Sequence, residues 1–218
     1  MKKKILQTGI LIVLMQAMIL SIFFETGTAA SKKTAALKKY NEFLSYPHKL
    51  WSDNSSYRSS KTTDSGIRFR IFDINADGVP ELLVHDYGAS NASGQLAVYG
   101  IVNGKVKYMQ SYALWSVTFY SNKKGTIVHQ MSRDGIVCSY QCFNGKKIKE
   151  KQVWYASIDV NTYKIGKKSY FINSKKVSKT KFKKSEKKLI QAKSKLTVTE
   201  GGKNLYLNTS TNRSKYLK

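Results

Sequence analysis

Cysteine, histidine and acidic side chains are all scarce in this chain, at two, three and 13 of 218 residues. Each shortage removes a class of answers. The cysteines lie in Val137-Cys-Ser-Tyr-Gln-Cys-Phe143, a composition that favours a strand. Residues four apart in a strand stand about 13 Å apart at roughly 3.3 Å per residue, beyond the reach of a disulfide. Cys138 and Cys142 are therefore expected as two thiols on one face of one strand. Nothing in the spacing supports a Cys/His metal or catalytic pair with His129. Outside one short segment the acidic residues form no recognisable catalytic pair. His85-Asp86 is the only suggestive neighbour, and adjacent residues of a strand point to opposite faces.

One long apolar run is present, at the N-terminus. Lys2-Lys3-Lys4 precedes a stretch from Ile5 to Phe24, followed by Thr28-Ala29-Ala30. Basic head, apolar middle and small-residue exit are the order of a secretory signal peptide, with cleavage expected after Ala30. The alternative is an uncleaved anchor, because the run is near the length that spans a bilayer. No cysteine follows the run, which argues against a lipid-anchored lipoprotein.

Against the few acids stand 38 lysines and arginines, for a formal net charge of +25. The excess is uneven: between Asn173 and Lys218 there are 13 lysines and one arginine against Glu186 and Glu200. Such a field attracts polyanions without specifying one. The partner expected is an anionic cell-wall polymer or a membrane surface. Nucleic acid is not expected in vivo for an exported chain.

The fold class predicted is α+β, mainly an antiparallel meander with a short N-terminal helix and a Lys-rich C-terminal helix. Leu37, Tyr40 and Leu44 fall at helical spacing between Lys32 and about Pro47. Residues 52–65 read as a polar loop. From Ile67 the period changes to two, and Asn103-Gly104 and Asn144-Gly145 punctuate apolar runs as hairpin turns, where both central residues of a type I′ turn need positive φ. These two turns lie 41 residues apart, near a propeller-blade repeat, but their flanks match poorly, and one twisted sheet is preferred. Ser178 is the expected N-cap of a helix reaching about Ala192, with Phe182, Leu189 and Ile190 as its buried stripe. Leu196 to Leu207 reads as one further strand or hairpin before a frayed tail. The organisation expected is 1–30 signal peptide, 31–65 helix and polar loop, 66–195 β domain with the Lys-rich helix, and 196–218 terminal strand and basic tail.

One segment carries chemistry. Residues 73 to 81 read Asp-Ile-Asn-Ala-Asp-Gly-Val-Pro-Glu. Oxygen donors at the first, third and fifth positions, glycine at the sixth and a carbonyl at the seventh suit a hard cation with six to eight oxygen ligands. The expected Ca²⁺ ligands are the side chains of Asp73, Asn75 and Asp77, the Val79 carbonyl, and Glu81 directly or through water. The competing reading is a turn whose side chains bond their own backbone. The segment departs from an EF-hand: a strand enters it, and position 12 is Val84 instead of a bidentate glutamate.

The strand, the D-x-N-x-D-G-x-x-E loop and the apolar strand Leu82-Leu-Val84 resemble the calcium loops of FG-GAP and VCBS-type β repeats. The wider chain resembles a loosely defined set of uncharacterised exported proteins of anaerobic Gram-positive bacteria. Its weaker support lies in the Asn-Gly-Lys hairpins, Tyr170 to Ser178, Asn208-Thr and Asn212-Arg213. The resemblance implies calcium binding and export and carries no activity with it.

Two functions remain in view. One is a secreted or cell-surface calcium-binding domain acting as a non-enzymatic binding or scaffold module. The other is a secreted hydrolase of cell-wall or host glycan with an unrecognised site. The aromatics Tyr99, Tyr108, Tyr112, Trp115, Tyr120 and Trp154 are read as core side chains or as a carbohydrate platform.

Overall fold

The computed structural model describes residues 29–46, 66–86, 95–113, 116–132, 135–157, 159, 161–162, 164–199 and 202–218. The apolar N-terminal run, the polar loop 52–65, the connection 88–94, Trp115 and the turn residues Arg133 and Asp134 lie outside them.

Two antiparallel sheets replace the single sheet expected. The five-stranded sheet has the order β12-β1-β2-β3-β4, and the seven-stranded sheet β10-β9-β8-β7-β6-β5-β11. In chain order these strands are β1 (Ile67–Phe72), β2 (Glu81–Asp86), β3 (Gln95–Val102), β4 (Lys105–Ala113), β5 (Ser116–Ser121), β6 (Thr126–Ser132), β7 (Gly135–Phe143), β8 (Ile148–Ser157), β9 (Ser169–Ile172), β10 (Lys175–Lys176), β11 (Ser194–Thr199) and β12 (Tyr206–Leu207). Among the described residues three helices accompany them: α1 over residues 29–44, α2 over Lys179–Leu189 and α3 over Ser210–Tyr216.

Alternation explains the layering. Each strand offers one row of apolar side chains to each face, and here both faces are used. Leu83, Leu96 and Val98 of the smaller sheet meet Val117, Phe119, Ile127 and Phe143 of the larger in a buried core between them. Ile67, Phe69, Leu82 and Val84 turn to the other face of the smaller sheet, where Leu37, Tyr40 and Leu44 of α1 and Leu217 after α3 cover them. Phe182 of α2 sits on the outer face of the larger sheet with Cys138 and Tyr140. The order is helices, sheet, sheet, helix.

Local chemistry sets the ends of these elements. The Ser178 hydroxyl accepts the Lys181 N–H and caps α2, filling one of the donors that a helix start leaves open. At the β3–β4 hairpin both Asn103 and Gly104 have positive φ, as a two-residue turn of the primed type requires. Asn144-Gly145 differs: β7 and β8 are joined by four residues, Asn144 Oδ1 accepts the N–H groups of Lys146 and Lys147, and only Gly145 has positive φ. The terminal segment also departs from the frayed tail expected. Its two strands enter different sheets, β11 beside β5 and β12 beside β1, and Thr209 caps α3 by accepting the Asn212 N–H.

The aromatics named above divide. Tyr99 and Tyr112 are buried core residues, while Tyr108 stays partly exposed. Cys138 and Cys142 share β7 and form no disulfide.

Candidate metal centre

The antiparallel pair β1 and β2 closes at the cross-strand pair Phe72 and Glu81, so the acidic segment is the loop between two buried strands. Ala76 and Gly78 turn it through positive φ, at 55° and 86°. The first of these strains a non-glycine residue and the second suits glycine. All four polar side chains fold inward onto backbone N–H groups. Asp73 Oδ1 accepts from Asp77 N–H at 3.2 Å, and Asp73 Oδ2 from Gly78 N–H at 3.0 Å. Asn75 Oδ1 shares the Asp77 N–H at 3.2 Å, while its amide donates to Asp77 Oδ2 at 2.9 Å. Asp77 Oδ1 accepts from Val79 N–H, and Glu81 Oε2 from Ile74 N–H, each at 2.8 Å.

The loop is pinned to both sheets. Ile74 fills the inter-sheet core, and its carbonyl accepts the Asn122 N–H from the β5–β6 turn at 3.1 Å. Val79 packs its side chain with the cluster around α1. Asn75 and Glu81 are buried, whereas Asp77 is exposed at the rim.

Burial sets the electrostatics. It pushes the Glu81 carboxyl up to about 9, with the charges of Asp77 and Asp73 adding to the effect and the Ile74 N–H opposing it. Asp73 is also raised, by burial first and by Asp77, against the lowering pull of the N–H groups it accepts. The only ion pair among the described residues joins Lys183 and Glu186. A chain with 38 basic side chains thus brings none of the described ones to the carboxylates that most need a counter-charge.

Sequence reasoning did not single out one core residue with an orphaned hydroxyl. Tyr40 of α1 is wholly buried, and its hydroxyl has no hydrogen-bond partner. Its phenol is raised by burial first and by the charges of Glu81 and Asp77. The helical stripe of Leu37, Tyr40 and Leu44 marks Tyr40 as core, and no local signal links it to a loop so far along the chain.

Among the described residues no three His, Cys, Asp or Glu side chains stand together as a ready-made metal cluster. Asp73, Asp77 and Glu81 are instead turned onto N–H groups. The donor chemistry still fits a hard cation, because every candidate atom is a carboxylate, amide, carbonyl or hydroxyl oxygen. A carboxylate oxygen that accepts one N–H also keeps further lone-pair capacity.

Among the described residues the other suggested neighbours show no second centre. His85 is buried, with Nδ1 on the Gln95 carbonyl at 3.1 Å, and the Asp86 side chain lies outside the described set. A polar seam runs along the larger sheet where it faces Tyr112: the Tyr112 hydroxyl donates to Gln141 at 2.6 Å, and Ser139 Oγ donates to Glu150 at 2.8 Å. His129 is the cross-strand partner of Ser139, and burial lowers its pKa against the opposing charge of Glu150. A nucleophile would give its proton to the imidazole. Ser139 directs its hydroxyl hydrogen bond to Glu150 instead. No family model, curated protein or solved structure matches the chain.

Proposed function

We propose that this chain is an exported, calcium-stabilised β domain that serves at the cell surface as a non-enzymatic binding or scaffold module. The observation that carries the reading is the acidic loop with Glu81 buried and Asp73 half-buried, both raised by burial and by neighbouring carboxylates, and with no basic partner among the described residues. Asp73, Asn75 and Asp77 would hold the cation by their side chains, Val79 by its carbonyl, and Glu81 directly or through water. The ion supplies charge compensation and a cross-link between the ends of β1 and β2. The N-terminal lysines, apolar run and small-residue exit support export, which would meet millimolar calcium suited to an extracellular site.

Attachment belongs to α2, on the outer face of the larger sheet. Lys179, Lys181, Lys183, Lys184, Lys187 and Lys188 of α2 are exposed, and Lys175 and Lys176 of β10 lie close by in the chain. Lysines attract as point charges and lack the planar fork with which arginine recognises phosphate, so the fitting partner is an anionic wall polymer or lipid surface engaged without sequence or shape specificity. Retention on whole cells or purified wall polymer is expected to fall steeply between 0.1 and 1 M salt, as the Debye length contracts from about 10 to about 3 Å. Lys→Gln changes along α2 are expected to weaken it, and retention indifferent to both sinks the attachment reading.

The calcium reading is tested by thermal unfolding of the purified protein in calcium and in chelator. A higher midpoint in calcium, removed by Asp73→Ala with Asp77→Ala, is expected. Superimposable curves would reduce the loop to a hydrogen-bonded turn.

A further inference from the structure

The hairpin of β8 and β9 runs past the core. Residues paired directly across strands share a face of the sheet, as do residues two apart in one strand. Successive pairs link Val117, His129, Ser139, Val153 and Phe171 in one row. Val117 at one end of that row belongs to the core between the sheets, whereas no described residue from Val153 onward in β8, and none of β9, belongs to it. Tyr155, two places beyond Val153, is 47% exposed, and its ring stacks on Phe171 with centroids 5.4 Å apart and planes 13° from parallel. The Gly166 N–H donates to the Ser157 carbonyl at 2.8 Å, which brings Ile165, 54% exposed, to the same end of the hairpin.

One exposed apolar side chain needs no explanation, but several gathered on one hairpin do. Their surroundings choose the occupant. The cross-strand neighbours of the stacked pair include Val137, opposite Tyr155, and Val153, opposite Phe171, and neither side chain can hydrogen-bond. A sugar lying on the rings would need polar groups placed to meet its hydroxyls. What borders the rings is cationic instead. Lys164, Lys167, Lys168, Lys175 and Lys176 are exposed in this part of the chain, with Asp159 as the single acid among its described residues. Lys168 Nζ stands 3.8 Å from the centroid of the Trp154 ring, a cation held on an aromatic face. Helix α2 packs against the same hairpin, its Phe182 ring 5.1 Å from Tyr170, so further lysines flank it. Aromatic and aliphatic side chains bordered by lysines match the interfacial zone of an anionic bilayer, where tyrosine sits at the level of the headgroups and lysine is drawn to their phosphates.

We infer that the β8–β9 hairpin is a membrane-interface anchor: Tyr155, Phe171 and Ile165 enter the headgroup region of an anionic lipid bilayer while Lys164, Lys167 and Lys168 face its phosphates. The inference rests on the surface-attachment reading for the long-range pull of α2, and it adds to that reading a partner, lipid, and a second binding element. Charge brings the protein to the surface and apolar burial holds it there, so the two contributions separate by ligand.

Cosedimentation of the purified protein with vesicles of phosphatidylcholine and phosphatidylglycerol, set beside its binding to soluble inorganic polyphosphate, tests this. Tyr155→Ser with Ile165→Ser is expected to lower partition onto vesicles about tenfold, because buried apolar area is lost, and to leave polyphosphate binding unchanged. Both side chains are exposed, so the melting midpoint is expected to stay at that of wild type. Ile165→Trp is the converse variant, and its added emission is expected to be quenched by brominated acyl chains. Lys→Gln changes along α2 are expected to weaken binding to both ligands. Wild type that binds polyphosphate but not vesicles makes the partner a wall polymer and overturns the anchor. Vesicle binding that ignores the double variant, an equal loss on polyphosphate, or emission at position 165 untouched by brominated chains overturns it as well. If the α2 changes leave both ligands bound while the double variant still loses vesicles, the attachment reading of α2 fails and the hairpin anchor stands.

Discussion

Two turns of this chain place an aspartate in nearly the same hydrogen-bonding position and treat it in opposite ways. Asp159 Oδ1 accepts the N–H groups of Asn161 at 2.9 Å and Thr162 at 3.2 Å, and those bonds hold its fully exposed carboxyl below the ordinary range. Asp73 also accepts two backbone N–H groups, from Asp77 and Gly78, yet its carboxyl is pushed up. The bonds are alike, so they cannot be what separates the two. Burial and like charge are. A solvated Asx turn is complete once its N–H groups are satisfied, whereas the β1–β2 loop also holds carboxyls that burial and like charge push up.

The largest effect that would sharpen this contrast is in pH. Glu81 has a folded-state pKa of about 9 against an ordinary value of 4.5. A group raised in the folded state binds its proton more tightly there than in the unfolded chain. Its contribution to stability is thus fully present below the ordinary value and is lost as pH rises through about 9, with a slope of at most about 1.4 kcal/mol per pH unit. Chelated protein is expected to lose stability across that window in denaturant titrations, and calcium to flatten the loss by keeping Glu81 ionised in company. Glu81→Gln imitates the protonated acid. It should match wild type in chelator at neutral pH, remove the slope, and no longer respond to calcium. A flat profile in chelated wild type would show that burial and the neighbouring carboxylates do not raise Glu81.

Next in size is the calcium effect itself. At ten times Kd it is worth about 1.4 kcal/mol, and magnesium should reproduce it poorly because it demands tight octahedral geometry. Gly78→Ala comes next, at about 1 kcal/mol of destabilisation from forcing a side chain into positive φ. Chemical denaturation should find that loss in calcium and in chelator alike if the cost is one of backbone alone. Asp159→Ala ranks last. It is expected to leave the calcium response intact, and a calcium shift that disappears with Asp159 would erase the distinction between the two turns.

Much of this was legible in the residues themselves. Alternation of Ile67, Phe69 and Ile71 with Arg68 and Arg70 announces β1, the stripe Leu37, Tyr40 and Leu44 announces α1, and Ser178 announces the start of α2. Such signals are local. They tell which residues are buried but not which layer buries them, and so two stacked sheets were taken for one. Leu196 and Val198 look like any strand, and only the fold brings them beside Val117 and Phe119. The same limit hides the difference between the two Asn-Gly turns, in loop length and in the conformation of the asparagine. Asp73, Asn75, Asp77 and Glu81 were readable because their chemistry lies within nine consecutive positions.

The rims of the two sheets give the lysines an office that needs no partner. The larger sheet ends in β10, which is only Lys175–Lys176, and in β11, where Lys195 is exposed; the smaller ends in the two-residue β12 and in β4, where Lys105 and Lys107 are exposed. An open strand edge is a template for adding another chain, and short edges and lysine side chains both spoil it. Two copies meeting edge to edge would bring these ammonium groups together with little backbone left to pair. The charge proposed to draw the protein toward polyanions would thus also keep concentrated copies apart.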